Sequence, residues 1–323
     1  MHHTLGRLEH QPAYSDLSSS GKQRINLVVV LGPTASGKTR LGVDLARILN
    51  GEIISADSRQ VYRGMDIGTG KDLVEYGDVP VHLVDIVEPG TEFNVFQFQR
   101  RFALAFAEIV SRGCLPIMVG GTGLYLDAVL KGYRFQEVPE NSTLRNELTA
   151  LSLDELGERL EGMNPRLHNT TDLKQRERLV RAIEIAAHED PLPVVESSPQ
   201  LQPLVFGMLW DRSKLRQRIT VRLKDRLEQG MIAEVERLHA AGISYETLES
   251  YGLEYRYLSL YLRGEINRND MFQKLNSAIH DFAKRQETWF RRMERTGTKI
   301  AWLNGDENPL AEARLILHNL SAP

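Results

Sequence analysis

The chain has 323 residues, of which 41% are hydrophobic and 26% are charged, and its formal net charge is −3. This is the composition of a globular protein long enough for two domains, and its weakly acidic charge argues against a nucleic-acid ligand unless basic residues are clustered. The single cysteine excludes an intramolecular disulfide and a zinc site built from several cysteines. A polar start without a secretory signal, and no apolar run of about 18 residues, predict a cytoplasmic protein without a membrane span.

The first predicted elements are a flexible leader over residues 1–22, a buried strand over residues 25–31 and a helix over residues 40–49. The segment between strand and helix satisfies every fixed position of the phosphate-loop pattern G-x-x-x-x-G-K-[ST]. Its glycines let successive backbone N–H groups point at one anion, its lysine adds positive charge, and its threonine hydroxyl can ligate Mg²⁺. We therefore expect a di- or triphosphate at Gly32, Pro33, Thr34, Ala35, Ser36, Gly37, Lys38 and Thr39, with Thr39 at the metal.

Two polar turns follow later predicted strands. The strand over residues 52–55 leads into Asp57, and the strand over residues 115–119 leads into a glycine-rich turn that contains Thr122. Because ligands of parallel α/β sheets collect at the carboxyl ends of the strands, we expect both turns to face the phosphate loop. There Asp57 could take a proton or hold Mg²⁺ through water, and Thr122 could position a polar substrate atom. The alternative for Asp57 is a turn or helix N-cap role, and the alternative for Thr122 is a helix-capping role.

The remaining pattern predicts two domains. Alternating strands and helices, including a strand over residues 81–86 and a helix over residues 93–112, predict an α/β fold: a P-loop parallel sheet flanked by helices. From residue 137 to about 200 the strand signals disappear and charged helical stretches follow, which predicts an inserted all-helical domain over residues 137–200. The catalytic domain then comprises residues 23–136 and 201–323, completed by a strand over 204–209, helices near 213–241 and 269–294, and a strand over 299–303.

Six motifs in this order closely resemble those of the tRNA dimethylallyltransferases, also called tRNA isopentenyltransferases. They are GPTASGKT, DSRQVYRGMDIGTGK, VGGTGLYLDAVL, RERLVRAIEI, QRITVRLKDRLEQGMIAEVERL and FAKRQETWFRR, and the resemblance covers residues 25–305. It implies that the loop holds the diphosphate of dimethylallyl diphosphate, with Mg²⁺ as cofactor. It also implies that the acceptor is the N6 amine of the adenosine 3′ of the tRNA anticodon. The chain resembles the bacterial members, which lack a zinc finger, and we expect a monomer.

The resemblance assigns roles to individual residues. Asp57 matches the general base, Thr122 the residue beside the target adenine, and Arg222 the arginine that meets the leaving diphosphate. By the same resemblance, tRNA contacts are expected at Asp57, Ser58, Arg59, Gln60 and Thr122, and in the inserted domain at Arg145, Arg178 and Arg181. For Lys284, Arg285 and Gln286, a nucleic-acid contact and a helix packed on the catalytic domain both stay open.

The chain departs from the family pattern at three places. Glu254 stands where the family usually has the glycine of a Gly-Tyr pair, and Ile279-His280 stands where it usually has Thr-Arg. The stretch LHNTTD, residues 167–172, is one residue longer than usual. We expect most of these departures to lie toward the RNA, so that they bear on docking more than on chemistry.

Three other functions compete with prenyl transfer to tRNA. An adenylate dimethylallyltransferase would use the same core on free AMP, ADP or ATP. A small-molecule P-loop kinase would need a Walker-B aspartate, which Asp85 in VHLVD could supply. A non-catalytic RNA-binding protein would not need Asp57, Thr122 and Arg222 together. Ser58 directly after Asp57 and a sizeable inserted domain favour the tRNA enzyme.

Overall fold

The computed structural model describes residues 25–133, 138–163, 176–188 and 199–321. The predicted leader over residues 1–22 and the longer stretch over residues 167–172 lie outside this part of the chain. The chain divides into two compact units, one of Met1–Tyr133 with Ser198–Pro323 and one of Arg134–Ser197.

The first unit contains one parallel sheet. Its strands are β1 (Leu27–Leu31), β2 (Gly51–Ala56), β3 (Val81–His82), β4 (Leu115–Gly120), β5 (Pro203–Leu209) and β6 (Ile300–Asn304). They are arranged in the order β3-β2-β4-β1-β5-β6. The central strand β1 pairs with β4 on one side and with β5 on the other, so every residue of its apolar run is buried. An uninterrupted apolar strand is what a sheet covered on both faces requires.

Helices cover both faces of the sheet. They are α1 (Lys38–Leu49), α2 (Leu73–Tyr76), α3 (Val95–Ser111), α4 (Gly123–Leu130), α8 (Arg212–Glu228), α9 (Met231–Ala240), α10 (Tyr245–Ser250), α11 (Leu253–Leu262), α12 (Arg268–Arg295) and α13 (Pro309–Ser321). Because successive strand residues point to opposite faces, Val28 packs in a core with Leu45 of α1, whereas Val29 packs with Phe98 of α3 and Phe290 of α12. The long helix α12 is therefore a structural neighbour of the central strand.

The described residues of the second unit form the helices α5 (Ser142–Leu148), α6 (Leu153–Met163) and α7 (Arg176–Ala187). These helices are amphipathic and bury a small core of their own. Its buried members are Leu144, Leu148, Leu156, Leu160, Leu179 and Ile183.

Two predicted elements are wrong in extent. The strand predicted over residues 81–86 ends at His82, because Leu83 and Asp85 have φ angles of 64° and 54° and the chain cannot stay extended. The helix predicted near residues 213–241 is two helices, separated at Gly230, where φ is 98°. Within the described residues, no helix is long and apolar enough to cross a membrane.

Candidate active site

Three turns of the first unit begin at the same edge of the sheet. The phosphate loop leaves β1, the turn with Thr122 leaves β4, and the turn with Asp57 leaves β2. Since β4 lies between β1 and β2 in the parallel sheet, the carboxyl ends of these strands bring the three turns together. This is the crevice in which α/β sheets bind ligands.

The phosphate loop presents an open helix end. Ala35 and Gly37 adopt left-handed backbone angles, with φ of 62° and 83°, and turn the chain into α1. The N-cap residue of α1 is Gly37, which has no side chain that could cap the helix, so the first N–H groups of α1 stay available to an anion. Two carbonyl groups of the loop accept hydrogen bonds from side chains distant in the sequence. Arg218 Nε donates to Ala35 O at 2.9 Å, and Trp210 Nε1 donates to Ser36 O at 2.9 Å.

Lys38 carries a charge that is costly without a ligand. Burial and the neighbouring Arg222 lower the pKa of the Lys38 ammonium to about 8. Among the residues that the structure describes, the hydrogen bond of its Nζ is a long one, 3.4 Å to Pro33 O. A bound anion would supply the missing partner and would raise the pKa of the Lys38 ammonium again.

Two arginines of α8 lie next to this loop and share one carboxylate. Arg222 Nη2 is 2.6 Å from Asp72 Oδ2, and Arg226 Nη2 is 3.9 Å from the same oxygen. Arg226 is buried, and burial together with the nearby Arg222 charge lowers its pKa to about 10. Its Nη2 has no hydrogen-bond partner among the residues that the structure describes. The spacing of Arg218, Arg222 and Arg226 places all three on one face of α8.

A small pocket lies between the phosphate loop and these arginines. It is lined by Thr34, Ala35, Ile219, Arg222, Leu223, Arg226, Glu254 and Ile279. Two departures from the family pattern, Glu254 and Ile279, are therefore at the phosphate loop, and the expectation that they lie toward the RNA is wrong for this pair. Burial raises the pKa of the Glu254 carboxyl, and the Arg226 charge opposes this shift.

Asp57 and Thr122, in the two other turns of the site, are held by hydrogen bonds from backbone N–H groups. Asp57 Oδ1 accepts the N–H of Arg59 at 2.8 Å and that of Gln60 at 3.4 Å. Thr122 Oγ1 accepts the N–H of Ser58 at 3.1 Å and makes no capping bond to α4. Asp57 therefore has the turn role given as its alternative, but through one oxygen only. The helix-capping alternative for Thr122 is wrong.

Polar side chains of Gln60 and Glu234 fix the segment that follows Asp57. Gln60 accepts from Ser55 Oγ at 3.1 Å and donates to Gly70 O at 3.1 Å, so both ends of its side-chain amide are engaged. The buried carboxylate of Glu234 accepts three consecutive backbone N–H groups and the Tyr255 hydroxyl. Sequence reasoning missed Glu234, because a single glutamate on a helix carries no signal for this contact.

The Walker-B interpretation of Asp85 is not supported by its surroundings. Asp85 lies beyond the end of β3 and pairs with the buried ammonium of Lys71, which also bonds Asp66 at 3.0 Å. In the described part of the chain, no group of three or more acidic, histidine or cysteine side chains could hold a metal ion. His82, the last residue of β3, pairs with a buried carboxylate, since its Nε2 lies 2.7 Å from Glu52 Oε2.

In the second unit, two predicted tRNA-contacting residues surround a buried glutamate. Arg145 Nε and Nη2 donate to Glu184 at 2.7 and 2.9 Å, and Arg181 Nη1 donates to it at 3.1 Å. Although burial raises the pKa of Glu184, the hydrogen bonds from Arg145, the Asn141 amide and Arg181 outweigh it and lower the pKa to about 2. Arg178 is exposed. Much of the positive charge expected on this unit is therefore paired internally.

Comparisons with known proteins identify the family of the chain. The family model described as IPP transferase matches residues 60–293. The chain belongs to the IPP transferase family. It is 70% identical to tRNA dimethylallyltransferase 1 of Geotalea uraniireducens over an alignment of 301 residues. This alignment covers 92% of this chain and 99% of that protein. The resemblance found in the sequence is thus confirmed.

Solved structures confirm the α/β fold class. The tRNA isopentenylpyrophosphate transferase of Bacillus halodurans is 33% identical and matches with a TM-score of 0.68, over 92% of this chain and 96% of that one. A eukaryotic dimethylallyltransferase, described as acting on tRNA, is 23% identical and shares the fold with a TM-score of 0.73 over 90% of this chain and 78% of that one.

Proposed function

We propose that this protein transfers the dimethylallyl group of dimethylallyl diphosphate to N6 of the adenosine 3′ of the anticodon in tRNA. The observation that carries the proposal is the meeting of the phosphate loop with the Asp57 and Thr122 turns at one edge of the sheet. The high identity to curated tRNA dimethylallyltransferases supports the choice of substrate. In the reaction the allylic C–O bond breaks, an N6–C bond forms, and diphosphate leaves.

The donor half of the site stabilises the leaving group. The loop amides, Lys38 and Arg222 surround the position of the diphosphate, where negative charge develops as the C–O bond breaks. Asp72 holds Arg222 at 2.6 Å and is itself 43% exposed, so a diphosphate can take over this arginine without leaving a buried carboxylate unpaired.

The acceptor half of the site orients the amine and removes its proton. Adenine N6 is a poor nucleophile because its lone pair is delocalised into the ring. The hydrogen bonds from two backbone N–H groups to Asp57 Oδ1 fix this carboxylate, and Oδ2 would accept the N6 proton. Thr122, held by Ser58, would hydrogen-bond the base so that N6 approaches the allylic carbon in line. The adenine must leave its stack to reach this turn, as in other base-modifying enzymes.

Mg²⁺ fits the donor half as an ion that arrives with the diphosphate. The chain offers no all-protein cage among its described residues, and Mg²⁺ typically takes one or two protein oxygens with phosphate oxygens and waters. Thr39 at the start of α1 would supply the protein oxygen. When bound, the ion neutralises charge on the departing diphosphate.

The partner is the tRNA anticodon stem-loop, and the helical unit over residues 137–200 is proposed to bind it through Arg145, Arg178 and Arg181. Because Arg145 and Arg181 are paired with Glu184, they would add less net positive charge to this contact than two unpaired arginines would. Ser58 and Arg59 would contact the RNA beside Asp57, and Gln60, whose side-chain amide is bonded to Ser55 and Gly70, would do so by exchanging one of these bonds. Because the phosphate loop and the turns with Asp57 and Thr122 all come from one chain, we propose that the protein acts as a monomer. We also propose that it acts in the cytoplasm. RNA affinity should fall steeply with salt, since binding releases counterions.

The proposal is tested by incubating the purified protein with labelled dimethylallyl diphosphate and either unmodified tRNA or AMP. We expect label on tRNA that carries adenosine 3′ of the anticodon, and little on AMP. Labelling of AMP at least as efficient as that of tRNA would replace the proposal with an adenylate dimethylallyltransferase. ATP-dependent phosphorylation of a small molecule, without prenyl transfer, would replace it with a kinase.

A further inference from the structure

A buried glutamine of α12 lies where an apolar residue is expected. The buried residues of this helix recur every three or four positions, and Gln286 is the polar member of that stripe, next to Ala283 and Phe290. The side chain is 7% exposed. A buried amide is costly unless its donor and acceptor both find partners.

Both ends of the Gln286 amide are bonded, and each bond reaches a different half of the site. Its Oε1 accepts the Thr34 N–H of the phosphate loop at 2.8 Å. Its Nε2 donates to Gly121 O, directly before Thr122, also at 2.8 Å. The planar side-chain amide of Gln286 therefore joins the phosphate loop to the turn that contains Thr122.

The turn that contains Thr122 has a glycine on each side of this threonine, where α12 packs closely. A Cβ at Gly121 would collide with Gln286 Nε2, and a Cβ at Gly123 would collide with the Trp289 ring on the next turn of α12. Glycine at these two positions lets α12 approach the backbone on both sides of Thr122. The loop amide of Thr34, in turn, is directed at Gln286 and not at the anion.

We propose that Gln286 is a positioning residue that fixes the separation between the phosphate loop and the turn that contains Thr122. This inference rests on the proposed function, because the separation matters only when the two turns hold two reacting molecules. Strand pairing already joins β1 to β4 up to Leu31 and Gly120, but the turns beyond the strands have no ladder of their own. In-line displacement is sensitive to alignment, and a misplacement of about 1 Å can cost about a hundredfold in rate.

The test compares three variants with the wild type. Gln286→Met keeps the volume and removes both hydrogen bonds, whereas Gln286→Glu keeps the acceptor for Thr34 and loses the donor to Gly121 O. Gln273→Met, on the exposed side of the same helix, is the matched control. The measurements are kcat, the KM for dimethylallyl diphosphate and for tRNA, the Kd for inorganic diphosphate, and the thermal midpoint.

We expect Gln286→Met to lower kcat about a hundredfold, with the diphosphate Kd and both KM values within about threefold of wild type. Gln273→Met should match the wild type throughout. Gln286→Glu, which keeps the acceptor for Thr34 and loses the bond to Gly121 O, should also lower kcat while leaving the diphosphate Kd within about tenfold of wild type.

Three outcomes would overturn the proposal. A kcat within about threefold of wild type for Gln286→Met would show that alignment does not depend on the bridge. A loss confined to diphosphate Kd and the KM for dimethylallyl diphosphate would reduce Gln286 to a support of the loop. If Gln286→Met does not fold, a kcat within about threefold of wild type for Gln286→Glu, which loses the bond to Gly121 O, overturns it. Absence of transfer by the wild type in the same assay would refute the proposed function instead.

Discussion

The donor and acceptor halves of this site lie on adjacent strands but are built in opposite ways. The donor half contains charge that is incompletely paired: Lys38 has a lowered pKa, and Arg226 Nη2 has no hydrogen-bond partner in the described structure. In the acceptor half, Asp57 and Thr122 are held by short bonds to backbone amides. Incompletely paired cations gain most from binding an anion, whereas side chains that are fixed by hydrogen bonds, as Asp57 is through Oδ1, keep their orientation. Variants in the two halves should therefore fail in different ways.

The largest effect is expected in the acceptor half, from Asp57→Ala. Loss of a general base that acts as the amine attacks should lower kcat by roughly 10²–10⁴-fold. The Kd for diphosphate should stay near that of the wild type, because the loop amides, Lys38 and Arg222 are unchanged. Steady-state kinetics and calorimetry with inorganic diphosphate measure the two quantities separately.

Asp78→Ala serves as the control for Asp57→Ala, since Asp78 is an exposed carboxylate paired with Arg47 on the surface. Near-normal turnover of Asp57→Ala would exclude it as the base. A large loss of diphosphate binding in this variant would show that Asp57 supports the donor half, and the contrast between the halves would be lost.

In the donor half, Arg222→Ala should lower kcat by about 10²–10³-fold and weaken diphosphate binding as well, because the arginine meets the same group before and during bond breaking. Lys224→Ala, exposed on the same helix, is the control. An Arg222→Ala variant that lost kcat but bound diphosphate normally would assign this arginine to the transition state alone.

The sequence predicted the parts of the site that local patterns specify. The phosphate loop, Asp57 and Thr122 follow strands whose apolar runs are unambiguous, and the structure brings these turns to one edge. The pairing of a side chain was not predictable, because it depends on residues distant in the chain. Arg222 meets Asp72, 150 residues away, whereas Arg145 is engaged by the buried Glu184.

The same limit explains the errors in predicted structure and placement. The strand predicted over residues 81–86 has a suitable apolar alternation, but left-handed angles at Leu83 and Asp85 end it early. Glu254 and Ile279 are 25 positions apart in sequence and on different helices, yet they line one pocket beside the phosphate loop. Only the packing of α11 and α12 brings them together.

A smaller effect is expected from pH. As pH rises through about 8, Lys38 loses its charge, so the Kd for dimethylallyl diphosphate without tRNA should rise about tenfold between pH 7 and pH 9. Lys38→Arg, which keeps its charge in this range, should flatten the dependence. A wild-type Kd that stays constant from pH 7 to pH 9 would mean that Lys38 remains fully charged in the empty site, and the donor half would then be better paired than its geometry indicates.

The smallest effect is expected from Glu254→Gln. The Glu254 carboxylate lines the same pocket as Arg222 and Arg226 and offsets part of their positive charge, so its neutralisation should tighten diphosphate binding, by about threefold once solvent screening is included. Calorimetry at pH 7.5 measures this change, with Glu228→Gln on the exposed side of α8 as the control. Tighter binding with slower product release would identify Glu254 as a residue that weakens the hold of the donor half on its product. Weaker binding would mean that Glu254 mainly orients Arg226, and the donor half would then depend on fixed geometry as the acceptor half does.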